Sequence, residues 1–274
     1  MIKSLAKNLI NLKKNFVKTY DGSSQIQEII PSSKSDSFPI ENSDLKLLHQ
    51  FANNNPIYYN SFEETIDNLL CTVYEGDINR FWLNSIQHGS SRAPFSPTWI
   101  FSAYLAVLNV KEFGYETVID IGSGDGRIAF CSKILGLESY SVEIDQSLVD
   151  LQKNLASTFD FHPICDDATT FDYASLNLQK PVFFIGGLAQ MGGTQLASGV
   201  LDKINSIDKL KHSGWVFAGT YSKKYSADPK NLAGWGTLLE KNKIRPIETI
   251  SLPTVWTFHE DDETPYVFAE MSSE

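Results

Sequence analysis

The sequence predicts an α/β protein built on a doubly wound, seven-stranded, mainly parallel sheet, with a helical N-terminal extension. From Tyr115 onward, short apolar runs alternate with helical patterns, which is typical of a parallel sheet covered by helices on both faces. The stretch VIDIGSGDGRIAF at 118–130 joins an apolar strand to a helix through three alternating glycines, as the first strand of such a sheet does where it meets a ligand. The chain has 274 residues, which is enough to bury a large core.

The chain opens with a predicted amphipathic helix over residues 2–20. Its apolar residues recur at three- and four-residue steps and leave a lysine-rich opposite face. We expect this helix to dock on the body of the protein; the alternative is a basic helix that contacts a membrane surface or a partner. The apolar positions are Ile2, Leu5, Leu9, Leu12 and Phe16.

A linker is predicted after this helix. Residues 21–43 are polar and serine-rich, and they are interrupted by Pro31 and Pro39. Serine clusters and prolines are typical of loops, because they favour turns over regular hydrogen-bonded structure. The segment is therefore expected to be a loop or linker, and it has the length to fold over a ligand as a lid.

Residues 44–90 are predicted to be helical. Ser61 is followed three residues later by Glu64, which is the spacing of a capping box at the start of a helix. Asp77 is a good N-cap for a further helix that ends before a glycine. The sequence therefore predicts a helical N-terminal extension over residues 1–90.

The main domain is predicted to span residues 91–274. Ser96 and Pro97 suit the cap and first turn of its first helix. Strands are predicted near 117–121, 139–144, 161–165, 181–187, 214–220, 246–251 and 265–271. Helices are predicted between them near 125–136, 146–158, 194–211 and 229–241. Such an alternation predicts a sheet whose ligand lies beyond the carboxyl ends of the strands.

Composition bounds the class of protein. The formal net charge is -10, and an acidic body is a poor general binder of nucleic acid, because phosphate contacts need positive surface. A small molecule or a basic protein segment fits this acidic charge better.

The sequence predicts neither a membrane span nor a secretory signal. No apolar run approaches the roughly 18 residues of a membrane span, and the first residues do not have the pattern of a signal peptide. Cys71, Cys131 and Cys165 lie far apart, which favours a reducing, cytoplasmic setting and neither disulfides nor zinc.

The glycine-rich stretch predicts a turn that a ligand approaches closely. Gly122, Gly124 and Gly126 allow positive φ and leave the backbone uncovered, and the helix that follows points its N-terminus at the ligand. Position 127 is an arginine, so the third glycine of a nicotinamide-binding GxGxxG pattern is missing. Asp120 would repel a pyrophosphate at this turn and suits a ligand with an ammonium or sulfonium group.

The next two strand ends complete a predicted adenosine pocket. Glu143 closes the second strand, where a carboxylate can accept hydrogen bonds from both hydroxyls of a ribose. Asp145 is expected to cap the following helix. Asp166 or Asp167, after the third strand, can accept a hydrogen bond from an adenine amino group. S-adenosylmethionine fits this set of groups, because it carries an ammonium and a sulfonium and no phosphate.

These residues carry a family resemblance. VIDIGSGDGR with SVEID and DDA resembles the cofactor motifs of class I S-adenosylmethionine-dependent methyltransferases, over roughly residues 91–271. The segment APFSPT before the glycine motif is loosely similar to that of small archaeal protein-lysine methyltransferases. The resemblance implies a Rossmann-like methyltransferase fold and S-adenosyl-L-methionine as cofactor. No metal site is predicted, because the histidines do not cluster with the cysteines. The cofactor-binding residues that the resemblance implies are Phe95, Pro97, Thr98, Asp120, Gly122, Ser123, Gly124, Gly126, Glu143, Ile144, Asp166, Asp167 and Ala168, with Asp167 preferred to Asp166 because it precedes an alanine.

The segment after the fourth strand bears on the identity of the methyl acceptor. The chain has FFIGGLAQMGG there, where methyltransferases that act on nucleic-acid bases or glutamine often carry Asn/Asp-Pro-Pro-Tyr/Phe. Gln190 and Tyr221 are the candidates for a catalytic role. A protein lysine is the favoured acceptor; the alternatives are a small molecule beneath an N-terminal lid, or a cofactor-binding module without catalysis. Neither the oligomeric state nor the role of residues 1–90 follows from the sequence.

Overall fold

A seven-stranded sheet forms the centre of the protein. The computed structural model describes residues 1–24, 26–77, 97–156, 161–186, 193–219, 234–253 and 263–271. The strands of the central sheet are β4 (Thr117–Ile121), β5 (Glu138–Glu143), β6 (His162–Cys165), β7 (Pro181–Ile185), β8 (Gly214–Ala218), β9 (Ile244–Pro253) and β10 (Glu263–Met271). Their spatial order is β6-β5-β4-β7-β8-β10-β9. The first five are parallel, whereas β10 runs antiparallel to both β8 and β9.

One helix precedes these strands and four others lie between them along the chain, as the sequence predicts. They are α3 (Ile100–Glu112), α4 (Arg127–Ile134), α5 (Gln146–Leu155), α6 (Gly193–Asn205) and α7 (Gly236–Lys241). Strands β4 and β7 are buried at every position, as expected of central parallel strands covered on both faces. The predicted doubly wound, seven-stranded and mainly parallel sheet is therefore confirmed. The first helix begins later than predicted: Trp99 is its N-cap, and Pro97 lies before the helix.

The N-terminal helix is also confirmed. α1 (Ile2–Thr19) buries its five predicted apolar positions and packs on β9 and α3. Its apolar face is therefore part of the protein core, as the docked interpretation requires. None of the described helices is long and apolar enough to cross a membrane.

The rest of the N-terminal segment differs from the prediction, because it contains a three-stranded sheet. Its strands are β1 (Ile26–Pro31), β2 (Tyr58–Ile66) and β3 (Leu69–Gly76), in the order β1-β3-β2, and α2 (Asn42–Asn54) is the second helix of this segment. β1 lies inside the predicted linker, and all six of its residues are buried. We call α2 with β1, β2 and β3 the N-terminal unit.

The predicted helix that starts at Ser61 is wrong. Ser61 lies in β2 opposite Tyr74 of β3, so it caps nothing. Asp67 and Asn68 join the two strands with φ values of 50° and 64°. Two consecutive residues with positive φ make the tight turn that matches the twist of a β-hairpin, and Asp and Asn adopt that conformation more readily than most residues. The hairpin was therefore encoded in the turn and not in the apparent capping box.

Candidate functional site

The glycine turn lies at the carboxyl end of β4 and begins α4. Gly122, Gly124 and Gly126 have φ values of 64°, 57° and 77°, a region in which other residues are strained. The Gly122 N–H donates to the Val142 carbonyl at 2.9 Å, and the Gly126 N–H to the Ser123 carbonyl at 2.8 Å. All three predicted glycines therefore serve one hydrogen-bonded turn that only glycine adopts without strain.

Gln152 holds this turn from the other side and was missed by sequence reasoning. Its Nε2 donates to Ser123 Oγ at 2.9 Å and to the Gly124 carbonyl at 2.8 Å, while its Oε1 accepts from Ser141 at 2.6 Å. A Cβ atom on Gly126 would lie 2.9 Å from the Gln152 Cγ atom, so this glycine is required for packing. The sequence contained one sign of this role, since Gln152 is a polar residue on the apolar face of a predicted amphipathic helix.

Two backbone N–H groups hold the Glu143 carboxylate, and one of them belongs to the glycine turn. Glu143 Oε2 accepts from the Gly124 N–H at 2.9 Å, and its Oε1 from the Asp145 N–H at 3.0 Å. The side chain is buried, and this burial raises the pKa of the carboxyl group above its ordinary value. A hydrogen bond from the Ile144 N–H also lowers the pKa of this carboxyl group, and the carboxylate keeps acceptor capacity for a further donor. Asp145 caps α5 by accepting from the Ser147 N–H at 2.9 Å, as predicted.

Asp120 is a buried carboxyl group with an unpartnered oxygen. It is 5% exposed, and no described donor reaches its Oδ2 atom. Burial, with the negative Asp125 and Glu143 nearby, raises its pKa to about 8, against smaller opposing effects of a hydrogen bond from the Ala129 N–H and of the Arg127 charge. A buried carboxylate oxygen without a hydrogen-bond partner is costly, even though the Ala129 N–H donates to the same carboxyl group. The position therefore favours either a proton or a cationic group of a ligand.

The end of β6 brings two acids with different surroundings. Asp167 Oδ1 accepts from both the N–H and the hydroxyl of Thr169, at 2.8 and 2.7 Å, and so caps the turn that follows. Asp166 is exposed, with Oδ1 accepting from its neighbour's N–H at 2.7 Å. Ile144 is 39% exposed and supplies an apolar surface after β5, while the predicted Ala168 is buried.

Strand order brings these groups together. β6, β5 and β4 are adjacent and parallel, and Glu143 pairs with Cys165 across β5 and β6. The carboxyl ends of the three strands therefore share one edge of the sheet, at which the glycine turn, Glu143 and Asp166 lie. Phe95, Gln190 and Tyr221 lie outside the described residues, so their predicted roles stay predictions.

The proline–threonine segment reaches the glycine turn through Arg127. Pro97 is buried and Thr98 half-buried. Thr98 Oγ1 hydrogen-bonds with the Tyr266 hydroxyl, and its carbonyl accepts from Arg127 Nη1. Arg127 begins α4, so one guanidinium connects this segment to the turn.

A buried ionic cluster surrounds this guanidinium, and sequence reasoning missed it. Arg127 donates to both oxygens of Asp125, from Nε at 2.9 Å and from Nη2. Its Nη1 lies 3.7 Å from Oε2 of Glu28 on β1. All three side chains are at most 3% exposed. The signals were an arginine in place of a glycine and a glutamate inside the apolar run of β1. Within the described ranges no cluster of metal-ligating side chains occurs.

Comparisons with known proteins give similarity to solved structures alone. No protein-family model matches the chain, and no curated protein matches it in sequence. The chain is similar to the tRNA (uracil-54, C5)-methyltransferase of Pyrococcus abyssi, with 11% identity and a TM-score of 0.43 over 61% of this chain and 38% of that one. A putative RNA methyltransferase of Pyrococcus horikoshii has 12% identity and a TM-score of 0.46 over 64% and 83%.

The N-methyltransferase NodS of Bradyrhizobium japonicum has 10% identity and a TM-score of 0.46, with 70% of this chain and 99% of that one covered. The chain thus spans well under half the length of the first of these three structures. Its fold follows from its own strands: their order and directions make it a Rossmann-like α/β sheet of the methyltransferase type.

Proposed function

We propose that the chain is an S-adenosylmethionine-dependent methyltransferase that acts on a protein lysine. The observation that carries the cofactor is the unpartnered Oδ2 atom of buried Asp120 beside the glycine turn. A cation compensates a buried carboxylate, whereas a phosphate would add repulsion. Asp125 and Glu143 add negative charge nearby, so the turn is suited to a positively charged adenosine derivative and unsuited to a dinucleotide.

Each polar group of the proposed cofactor is assigned to a different residue of the site. Asp120 accepts from the ammonium group, and the remaining acceptor capacity of Glu143 serves the ribose hydroxyls. Asp166 takes the adenine amino group, because its side chain is exposed at the end of β6, whereas Asp167 is less exposed and holds the Thr169 cap through two hydrogen bonds; this reverses the preference that the sequence suggested. Ile144 offers its exposed apolar surface to the adenine ring.

For methyl transfer, the protein must mainly position the acceptor and the cofactor, and it need not form a covalent bond to either. The bound cofactor would supply a methyl group already activated by its sulfonium. The protein must hold a neutral amine about 3 Å from that carbon and in line with the leaving sulfur, and a base or water must accept the amine's proton. The net charge of -10 favours a basic acceptor segment electrostatically, and the APFSPT resemblance favours lysine.

Two measurements test this proposal. Calorimetry with S-adenosylhomocysteine should show binding, and methyl-labelled S-adenosylmethionine added to a lysate should place label in protein, recovered as methyllysine after hydrolysis. Label confined to small molecules would replace the lysine acceptor by the small-molecule alternative. Binding without any transfer would leave a cofactor-binding module, and absence of binding would refute the cofactor assignment.

Cofactor should protect Cys165 from alkylation. This cysteine is exposed at the end of β6, whereas Cys71 and Cys131 are buried, so limited maleimide treatment should modify Cys165 first. Because Asp166 follows it directly, a bound adenosine should cover the thiol and slow its modification, as measured by intact mass. An unchanged rate at a saturating concentration would contradict the placement of adenine at this strand end.

Replacing Glu143 by alanine should weaken cofactor binding by about 1.5–3 kcal/mol, the range for hydrogen bonds to a charged group, which is roughly 10- to 150-fold in Kd. Glu138→Ala is the matched control, because Glu138 lies at the opposite end of the same strand and is partly exposed. Calorimetry on both variants, with circular dichroism to confirm folding, measures the difference. Equal Kd values for the two variants would remove Glu143 from the site.

Cofactor binding at pH 7 should release nearly one proton from Asp120. Its pKa is about 8 without ligand, so the carboxyl group is mostly protonated at pH 7, and a bound ammonium would stabilise the carboxylate. Affinity should therefore rise with pH up to about 8. The folded-state pKa lies above the ordinary value, so this group stabilises the ligand-free fold at low pH, and that contribution is lost as pH rises towards 8.

Calorimetry in two buffers with different ionisation enthalpies measures this proton. Asp125, Glu143 and Arg127 face Asp120 and could also change their proton uptake when the cofactor binds. The Asp120→Asn variant separates their contribution to proton release from that of Asp120. The variant should bind more weakly and release almost no proton. Tight binding by the wild-type protein without proton release would contradict the ammonium contact.

A further inference from the structure

The N-terminal unit contributes buried side chains to the glycine turn. Asn55, directly after α2, donates from Nδ2 to Asp125 Oδ2 at 2.8 Å, and it is 1% exposed. Asp125 is the residue between Gly124 and Gly126. Phe51 of α2 lies under the Arg127 guanidinium, with its ring centroid 5.7 Å from Cζ. Side chains of α2 and of the residue after it thus contact both the turn and the first residue of α4.

Glu28 of β1 connects the same elements from a second direction. Its Oε2 accepts from the Tyr58 hydroxyl at 3.0 Å and from the Ile100 N–H at 2.8 Å, and it lies 3.7 Å from Arg127 Nη1. Ile100 begins α3, two residues after Thr98. Glu28 therefore holds the start of α3 and the guanidinium that bonds to Thr98 and Asp125.

We propose that Glu28 and Asn55 are positioning residues of the cofactor site, so that the N-terminal unit and cofactor binding are energetically coupled. The inference rests on the proposed function. Glu28 fixes the position of the Arg127 guanidinium. This guanidinium in turn donates to the Thr98 carbonyl and to Asp125, and Asp125 lies within the glycine turn. Any ligand that stabilises this geometry must then also stabilise the contacts of β1 and α2, because coupling between two sites is reciprocal.

The place of this cluster in the fold is the argument for a positioning role. A buried ionic cluster is weak evidence for stability, since apolar residues of similar volume often replace one at no cost. Here the one charged residue of β1, Glu28, contacts the main domain at the start of α3 and at Arg127, next to the glycine turn, and the proposed site uses both segments. A cluster in that place restricts a glycine-rich loop, whose backbone has more conformational freedom than that of other loops.

The test measures the Kd of S-adenosylhomocysteine at pH 8. Burial raises the pKa of Glu28 to about 7, so its carboxylate is mostly ionised at that pH. Glu28→Gln should weaken binding about tenfold, within the range typical of coupled sites, and Asn55→Ala serves in its place if that variant does not fold. Glu63→Gln, an exposed carboxylate on β2 of the same unit, should bind as the wild type does.

A double variant distinguishes positioning from a general loss of structure. If Glu28 acts through the Arg127 charge, Glu28→Gln combined with Arg127→Met should bind no more weakly than Arg127→Met alone, because methionine removes the cation with which Glu28 pairs. Additive losses of affinity would overturn the proposed route.

Hydrogen exchange of the wild-type chain tests the coupling without any substitution. Saturating S-adenosylhomocysteine should slow exchange in the peptides that contain β1 and Asn55, as well as at the turn. Tight binding with protection confined to the central sheet would overturn the inference and leave the proposed function intact. Absence of binding by the wild-type chain would instead refute the proposed function, and the inference with it.

Discussion

Replacing Arg127 by methionine is expected to destabilise the fold by about 3–5 kcal/mol, the range for removing one partner of a buried ion pair. Methionine fills a similar volume, so the loss comes from charge: Glu28 and Asp125 would remain buried without their shared cation. The guanidinium is 3% exposed and Glu28 is fully buried. Urea denaturation at pH 8, where the Glu28 carboxylate is mostly ionised, measures the free energy of unfolding.

The same variant should recover stability as the pH falls. The Arg127 charge lowers the pKa of Glu28 against the larger effect of burial, so this pKa rises further when the charge is removed. Protonation then removes the uncompensated charge, and the difference from wild type should be smaller at pH 5.5 than at pH 8. A pH-independent loss would indicate packing as its cause.

Arg245→Met is the matched control for Arg127. Arg245 pairs with Glu270 on the surface, with 66% of its side chain exposed. Exposed ion pairs contribute about 0–1 kcal/mol, so this variant should differ little from wild type at either pH. A loss equal to that of Arg127→Met would show that the buried cluster has no special importance.

The central sheet could be predicted from the sequence because its information is local. β4, β7 and β8 are short apolar runs, and each is bounded by turn-forming residues. The burial of such a strand on both faces makes its hydrophobic pattern continuous, which leaves little ambiguity. Every predicted strand from 117 onward is present, with bounds that shift by a few residues.

The N-terminal unit could not be predicted in the same way, since competing local signals gave the wrong answer. Ser61 and Glu64 have the spacing of a helix cap, yet they lie in β2 and pair with β3. β1 lies in a serine-rich surrounding, and Glu28 interrupts its apolar run. The charge of Glu28 is compensated by Arg127, far along the chain, so its burial depends on tertiary contacts that no local pattern contains.

In the candidate site, too, the residues that belong to a local motif were predictable, and those that act through tertiary contacts were not. Gly122, Gly124 and Gly126 were predicted from motif spacing, because a positive φ constrains residue type at one position. Gln152 and Asn55 were not, since each acts through one hydrogen bond or a few across the fold, and an amide side chain has no characteristic spacing. The proposal of Asp166 over Asp167 also drew on the structure, because two adjacent acids differ there in exposure and in hydrogen-bond partners.

Replacing Gly124 by valine should reduce affinity for S-adenosylhomocysteine by about 100-fold or more, which corresponds to roughly 3 kcal/mol. Its φ of 57° is strained for a β-branched residue. A side chain here would also occupy the space in which the ligand is proposed to approach the main chain of the turn. The Gly124 N–H also donates to Glu143 at 2.9 Å, so any shift of the turn would displace the proposed ribose acceptor.

Gly136→Val separates the loss of binding from strain. Gly136 follows α4 with a φ of 77°, and a Cβ atom there would meet nothing within 4 Å. Both valine variants should therefore lose about 1–3 kcal/mol of stability, the typical cost of a strained backbone position. Only Gly124→Val should also lose the ligand. If both variants bind equally well by calorimetry, the turn is a structural feature of the sheet and the cofactor lies elsewhere, because strain alone acts on both glycines alike.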